Sequence, residues 1–501
     1  MQTIAAIDVG SNAIRLIVGR VIYDDKLEPI ENIRMPVRLG QDAFSHGQIR
    51  EETALLAVDA FTRFQKVAEN YGVERIRAVA TSAMREAANS DMLCDRIARM
   101  TGIEIEIISG EEEARLIHLA VAQAVNLKNK HAMLIDIGGG SVEVTLSQNG
   151  NILSTESYNM GTVRMLEKMR KASADLPFDD LVREYAEAAK RRIKREVRDK
   201  KMDLCIGTGG NIEEMGVLRK RLFKLESAQA ITLEELTKLT EAMSNLTVEE
   251  RMRKFKLKPD RADVILPASI VLRMIAKEAR VPEIRIPNVG LKDGILFDLA
   301  QQLGNKRVSP REQVWTSAMR LGEKYQFDAD HANLVAYWAA QLFDQTTPLH
   351  GLEPENRLLL EVASLLHDIG HFISTVDHDK HTHYIMQANP LIGLTKREQE
   401  IVSNVARYHR KVLPTVQDEN FRALPPKDRS TVIKLSALLR IADAMDVSHT
   451  RRVKGVHIRS KKNKWILSLE GEGTLSLEIW ALEKRRALFQ DVFGMKLEIE
   501  K

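Results

Sequence analysis

Ile7-Asp8-Val9-Gly10-Ser11-Asn12 near the start of the chain and Ile135-Asp136-Ile137-Gly138-Gly139-Gly140-Ser141 in its second quarter have the same form. Each is a short apolar run that delivers a carboxylate, turns through glycine and small polar residues, and returns as a second apolar run, Ile14–Gly19 in one case and Val142–Leu146 in the other. Glycine lets backbone N–H groups approach a phosphate closely, and the aspartate beside it can hold a cation or a water. A lone Asp-x-Gly is a common turn. Two in the same strand-turn-strand context point to a duplicated core whose halves face each other as a jaw for a phosphate chain.

The surrounding sequence fits an α/β domain around each copy. Behind the first lie an amphipathic helix at Thr53–Tyr71, with Leu55, Leu56, Val58, Phe61 and Phe64 on a helical period, a strand at Ile76–Ala80, a helix from Met84 to Met100, a strand at Ile103–Ile108 and a helix at Glu111–Val125. Behind the second, Asn149-Gly150 marks a hairpin turn, and strands at Asp203–Ile206 and Ile284–Ile286 alternate with helices. From Asn305 the grammar changes. Residues 305–310 read as a linker, followed by helices at Arg311–Tyr325, His331–Asp344, Arg357–His367, Lys396–Val405 and Thr431–Met445, and a strand-rich tail after Arg452. The expected division is 1–125 and 126–304 for the two halves of the core, 305–451 for an all-α domain and 452–501 for a small α+β domain. A chain of 501 residues suits roughly three domains or more.

Composition narrows the function. Hydrophobic residues at 44% and charged ones at 29% are globular values, and a net charge of +4 mildly favours anionic ligands. Aromatics at 5% are sparse for stacking bases, so specific nucleic-acid binding is not expected. Cys94 and Cys205 form no disulfide or thiolate framework and read as buried thiols. Asp8 and Arg15 interrupt the first apolar stretch, and no run approaches the ~20 apolar residues of a membrane span. A cytoplasmic protein without membrane segments is expected.

Five glycine or carboxylate loops fall at strand ends in the first 300 residues: Asp8–Asn12, Thr81–Asn89, Ser109–Arg115, Asp136–Ser141 and Gly207-Thr208-Gly209-Gly210-Asn211. Ligands of open α/β sheets bind beyond the carboxyl ends of strands. Within Ser109–Arg115, Glu111 and Glu112 are equally an ordinary charge preference at a helix start, whereas Glu113 lies further in and can serve as a general base for water attacking a phosphate. Arg15, Arg85 and Arg115 are candidate phosphate clamps. Asp136 and Glu143, seven apart across the glycine turn, are candidate Mg²⁺ partners, with Asp8 their counterpart in the first copy; Glu143 reads alternatively as a solvent-facing strand residue. In the helical region His367-Asp368, with His331 upstream and Asp443 downstream, can surround one divalent metal, and His371, His383 and His409 could extend the set.

These strings together resemble the bacterial exopolyphosphatase / guanosine pentaphosphate phosphohydrolase family over almost the whole chain. Residues 8–12 (DVGSN), 80–89 (ATSAMREAAN), 107–117 (IISGEEEARLI), 136–143 (DIGGGSVE) and 207–211 (GTGGN) stand in the family's order. The resemblance implies a duplicated actin-like, ribonuclease-H-like core, an HD-like helical domain, a homodimer, and Mg²⁺-dependent release of terminal phosphate from inorganic polyphosphate, from guanosine pentaphosphate or from both. It places the catalytic glutamate on Glu113, the loop carboxylates on Asp136 and Glu143, the arginine on Arg85, and the phosphate cradle on Gly10, Ser11, Asn12, Gly138, Gly139, Gly140, Ser141, Gly207, Thr208, Gly209 and Gly210. In the HD-like part, His331, His367, Asp368 and Asp443 match a full metal-binding pattern, so a second active site is left open. Positive charge along Ala406–Lys411 suggests that a long polyanion could continue onto that domain. A polyphosphate or alarmone sensor without catalysis is the alternative of a different class.

Overall fold

β1 (Gln2–Val9), β2 (Ile14–Val21) and β3 (Leu27–Met35) form an antiparallel meander, to which β4 (Arg75–Ala80) and β5 (Ile105–Ile107) add in parallel, giving the order β3-β2-β1-β4-β5. β6 (His131–Ile137), β7 (Val142–Gln148) and β8 (Asn151–Tyr158) repeat the meander; β9 (Leu204–Thr208) joins β6 in parallel, and β10 (Ala230–Thr232) and β11 (Glu283–Arg285) complete the order β10-β11-β9-β6-β7-β8. The second sheet is therefore the first again with one added antiparallel edge strand. The computed structural model describes residues 2–22, 27–171, 178–197, 201–303, 311–410, 413–461 and 464–500. The linker expected at 305–310 and Lys411 lie outside these residues.

Alternation along the inner strands explains how the two sheets stack. Ile4 and Ala6 of β1, Ala132 and Leu134 of β6, and Leu204 and Ile206 of β9 share one core with the helices Gly110–Ala124 and Leu291–Leu303. The intervening residues, Ala5, Ile7 and Val9 on β1 and Met133, Ile135 and Ile137 on β6, face separate cores on the far sides of their sheets. Side chains of a strand point alternately to its two faces, so strands buried on both read as continuous apolar runs. This is the duplicated actin-like core that the sequence implies.

Several local expectations change. The first long helix runs Glu51–Asn70 and buries Ala54, Ala57, Val58, Phe61 and Phe64, while Leu55 and Leu56 are exposed; the core stripe is set by alanines one position either side of those leucines. The helix expected at Met84–Met100 is two, Ser82–Glu86 and Ser90–Thr101. The break is pinned by Asn89, whose amide accepts from Ile49 N and donates to Ile49 O, both at 2.8 Å. A helix at Leu39–His46 has no counterpart in the sequence reading. Cys205 is buried as expected, but Cys94 is only half-buried.

The chain divides into two compact units, Met1–Val308 and Ser309–Lys501. The second is helical up to Ala444 and ends in β12 (Val453–Lys461), β13 (Lys464–Gly471), the helix Ser476–Phe493 and β14 (Lys496–Glu500), which pairs in parallel with β13. Val456, Trp465, Leu467 and Phe489 of this tail share one apolar core with Val335, Leu360, Leu366 and Leu438 of the helices. Among the described residues no helix is long and apolar enough to cross a membrane.

In the first unit the glycine loops are packed to backbone contact. A Cβ on Gly161 would stand 2.2 Å from the carbonyl carbon of Gly140. Overpacking at such a point costs about 1–3 kcal/mol. Gly161→Ala is expected to lower the first unit's free energy of unfolding by that amount, read as a lower urea midpoint with the slope unchanged.

Candidate active site

The two hairpins place their polar residues by register. β1 and β2 oppose Asp8 to Arg15, and β6 and β7 oppose Asp136 to Glu143. Directly opposed residues in an antiparallel pair share a face. In the first copy the pair is an ion pair, with Arg15 Nη1 3.2 Å from Asp8 Oδ2. In the second it is two carboxylates. Asp136 Oδ1 accepts from Thr208 Oγ1 at 2.6 Å, and Glu143 Oε1 accepts from Ser157 Oγ at 2.8 Å, but Glu143 Oε2 is buried with no hydrogen-bond partner among the described residues. At 2% exposure Glu143 is no solvated strand residue.

Glu113 joins these carboxylates from the helix Gly110–Ala124, whose N-cap Ser109 accepts from Glu112 N. Ser109 fixes the first turn and leaves Glu113 pointing inward, 6% exposed, with Oε2 3.5 Å from the Arg85 guanidinium. Burial raises its pKa well above the usual carboxylate range, the charge of Glu143 adds to this, and Arg85 opposes it. Burial pushes Glu143 up to about 7, helped by Asp136, and Asp136 up to about 6 against the Thr208 hydrogen bond. Asp8 is raised by burial in spite of Arg15.

The loops around this cluster converge. Gly139 lies against Ser11 and Asn12, so that a Cβ there would be 3.0 Å from Ser11 Cβ, and Ser11 Oγ is 3.1 Å from Ser82 Oγ. The carbonyls of Gly138, Gly139 and Gly140 accept from the amides of Thr162, Val163 and Gly161 at 3.1, 2.8 and 3.3 Å, so the next segment holds the loop through its carbonyl side. Arg164 braces it further: Nε donates to Gly140 O at 2.6 Å while the guanidinium pairs with Glu86 and lies 4.0 Å over the Phe44 ring. Gly207–Asn211 leads into the helix Gly210–Leu222, whose first amides have no acceptor within the helix. A Cβ on Gly210 would lie 2.2 Å from an Arg261 nitrogen and 3.0 Å from one of Arg15.

All five loops thus meet in one crevice, with exceptions at its edge. Arg115 is no clamp: it bonds Glu112 at 2.7 and 2.8 Å and Asp298 at 2.8 Å, a structural pairing. Arg261 and Arg164 escaped the sequence reading. Arg261 donates to Asn211 Oδ1 at 3.0 Å, and burial next to Arg15 and Arg34 lowers its pKa to about 10. It sits in Pro259-Asp260-Arg261-Ala262, which carries no motif of its own. The cross-strand carboxylates and the unpartnered Glu143 oxygen fit a divalent cation, because Mg²⁺ takes a few carboxylates together with phosphate oxygens.

In the helical unit His331, His367 and Asp443 also come together: Asp443 Oδ1 is 3.7 Å from His331 Nε2 and 3.8 Å from His367 Nε2, and Asp368 Oδ2 is 3.5 Å from His367 Nε2. His409 and His371 stand beside Asp368 at 3.2 and 3.7 Å. His383 does not join them; it is buried beside Arg407 and Asp418. His378, absent from the sequence-derived set, takes its place at 3.4 Å from Asp368.

With this geometry in view, comparison with known proteins is direct. The model of the Ppx/GppA phosphatase family matches residues 20–303, and that of the Ppx/GppA phosphatase, domain III, matches residues 315–485. The chain belongs to this family. It is accordingly a phosphohydrolase acting on phosphoanhydride bonds. It is similar to a guanosine-5'-triphosphate,3'-diphosphate pyrophosphatase of Photobacterium profundum, 24% identical over 99% of this chain and 97% of that one, and to one of Vibrio vulnificus, 26% identical over 95% and 90%. Among solved structures, an exopolyphosphatase from Cytophaga hutchinsonii superposes with a TM-score of 0.56 at 25% identity, covering 60% of this chain and 98% of that one. An Aquifex aeolicus family member has the same fold, with a TM-score of 0.53 at 24% identity over 61% and 99%.

The buried carboxylates give a sign-definite expectation for stability. Glu143 has a folded pKa above its unfolded value near 4.5, so its contribution is fully present below that pH and is lost as pH rises through about 7. In protein stripped with EDTA, Glu143→Gln keeps an acceptor for Ser157 and removes the repulsion. It should stabilise the fold at pH 8 by about 2 kcal/mol and by much less at pH 5, read from thermal melts at the two pH values.

Proposed function

We propose that the chain is an exopolyphosphatase that releases terminal orthophosphate from inorganic polyphosphate. The observation that carries the reading is Glu113, a buried carboxylate of raised pKa where loops from both copies of the core meet, in contact with Arg85. A carboxylate of raised pKa is a competent base near neutral pH. In the proposed step the Glu113 carboxylate accepts a proton from a water as the water oxygen bonds to the terminal phosphorus. The bridging P–O bond breaks, and its electron pair leaves with the shortened chain.

Phosphoryl transfer asks for positioning and charge neutralisation more than for covalent chemistry. The amides of Gly10–Asn12, Gly138–Ser141 and Gly207–Gly210 are the proposed cradle, with Arg15, Arg85 and Arg261 as cations at its walls. Asp8, Asp136 and Glu143 are the residues that would hold Mg²⁺. When bound, the ion supplies neutralisation of phosphate charge and relieves the repulsion among those carboxylates.

A second reading, guanosine pentaphosphate 5'-phosphohydrolase, is favoured by one observation: relatives of that name align with the chain from end to end. Both substrates end in a phosphoanhydride, so the same crevice chemistry serves either.

Phosphate release with Mg²⁺ from long-chain polyphosphate, guanosine pentaphosphate and ATP separates the two. Polyphosphate is expected to give the highest kcat/KM; a higher value for the nucleotide would make this an alarmone enzyme. Glu113→Gln should cut kcat on the preferred substrate by about 10²–10⁴-fold with little change in KM. Turnover that survives the substitution would remove Glu113 from the mechanism. Arg261→Ala, at the wall of the cradle, should raise KM by about tenfold or more.

A further inference from the structure

A row of charged side chains crosses the first sheet beside the glycine loops. Arg15 on β2 opposes Asp8 on β1 and, on its other side, Arg34 on β3. Directly opposed residues share a face, with Cβ atoms about 4.5–5.5 Å apart, and like charges so opposed are destabilising. Asp8 neutralises part of Arg15. The Arg15–Arg34 pairing is repulsive, and Arg261 adds a third guanidinium to it. The Cβ position of Gly210 is 2.2 Å from a nitrogen of Arg261 and 3.0 Å from one of Arg15. Burial, with the charges of Arg15 and Arg34 adding to it, lowers the pKa of Arg261 to about 10. A fourth guanidinium, that of Arg38, follows β3 in a segment tied to the first glycine loop, where Gly40 N donates to Ser11 O at 2.8 Å.

Two carboxylates of the second half of the core answer the outer arginines. Arg34 Nη2 pairs with Asp260 Oδ2, and Arg38 Nη2 donates to Asp263 Oδ2 at 2.7 Å. Asp260 and Asp263 flank Arg261, and their segment is held by Asn12 Nδ2, which donates to Asp260 O at 3.2 Å. Each pairing is end-on, through one guanidinium nitrogen. A guanidinium can give a carboxylate or a phosphate two parallel hydrogen bonds, and here the second is unmade. Arg34 Nε and Arg38 Nε are buried with no hydrogen-bond partner among the described residues, and so is Asp263 Oδ1. All four side chains are nevertheless part-exposed.

A buried donor without an acceptor is unfavourable until something supplies one. A phosphate within a chain offers two non-bridging oxygens, which can take the Nη and Nε donors of one arginine together. The end-on carboxylates therefore occupy positions that a chain phosphate fills more completely.

From this arrangement we infer that Arg34 and Arg38 extend the phosphate cradle into a track for the trailing part of a long polyphosphate chain, and that Asp260 and Asp263 gate the track by competing for the same guanidiniums. The inference rests on the reading of the crevice as a polyphosphate site. The first phosphates of a chain meet Arg15 and Arg261. Only a chain that continues past them reaches Arg34 and Arg38 and displaces the two carboxylates into water. Each displacement exchanges one anion for another at the arginine, so a long chain is gripped without being trapped.

The test measures binding apart from turnover. Full-length protein stripped with EDTA is titrated by isothermal calorimetry with long-chain polyphosphate and with tripolyphosphate. Asp260→Asn and Asp263→Asn should each tighten binding of the long chain by about fivefold and leave tripolyphosphate within about twofold of the parent. Arg38→Gln should weaken the long chain by about tenfold or more. Asp59→Asn makes the same charge change on the helix Glu51–Asn70 and should move neither. Circular dichroism checks that each variant is folded, and Asp263→Asn and Arg38→Gln, with opposite expected signs, each suffice alone. Equal tightening on both ligands, equal tightening by Asp59→Asn, or no binding of the long chain by the parent would overturn the inference. So would lowered melting temperatures with unchanged long-chain affinity, because the ion pairs would then only clasp the two halves of the core. Phosphate release from polyphosphate with Mg²⁺ is assayed alongside. Its absence together with chain-length-dependent tightening would remove the proposed activity and keep the track; its presence without such tightening would do the reverse.

Discussion

Backbone register drives two carboxylates together in the first unit, Glu113 and Asp8 crowd in beside them, and the rest of that unit answers the repulsion this creates. Asp136 and Glu143 cannot separate, because they are opposed partners of one hairpin. Glu113 cannot withdraw, because its helix starts at a capped serine packed between the two sheets. The buried site also denies them water, so each is raised in pKa mainly by burial and then by its neighbours. Arg15, Arg85, Thr208 and Ser157 relieve part of the strain. What they leave unanswered, above all the bare Glu143 oxygen, is the electrostatic demand that a cation and a polyanion together would satisfy.

The same constraint accounts for the packing. The loops carry no freedom to relax away from each other, since Gly139 touches Ser11 and Gly140 touches both Ser82 and Gly161. Arg164 closes the arrangement from behind through Gly140 O and Glu86. Donor groups fixed before a ligand arrives need no reorganisation when it binds, which is the main resource of electrostatic catalysis. In the helical unit the carbonyls of Ser364 and Ala406 and the Asp446 carboxylate likewise fix the rings of His367, His409 and His331.

The duplicated hairpins, the strand–helix alternation and the convergence of five loops were legible because each depends on local spacing: period two in strands, glycine at the turn, a carboxylate at the strand end. Glu113 and the His367-Asp368 pair were legible for the same reason. What escaped depends on residues far apart in the chain. Arg164 reaches Glu86 across 78 positions and His331 reaches Asp446 across 115, and nothing near Arg261 foretells its approach to Gly210. Leu55 and Leu56 misled because alanine forms the buried stripe of their helix, and Arg115 misled because its partner, Asp298, lies 183 residues on.

The two hairpins place different residues at one equivalent position: Arg15 opposite Asp8, Glu143 opposite Asp136. A duplication that preserved the backbone thereby broke the charge symmetry, turning a pseudo-twofold cleft into a polar one, with guanidinium groups gathered near Gly210 and carboxylates near Glu113. A linear polyanion is the same read from either end, so any sense of direction in its handling must come from the protein. Each hairpin supplies one residue of that asymmetry, an arginine in one copy and a glutamate in the other, and Arg261 and Glu113 add to it from outside the hairpins.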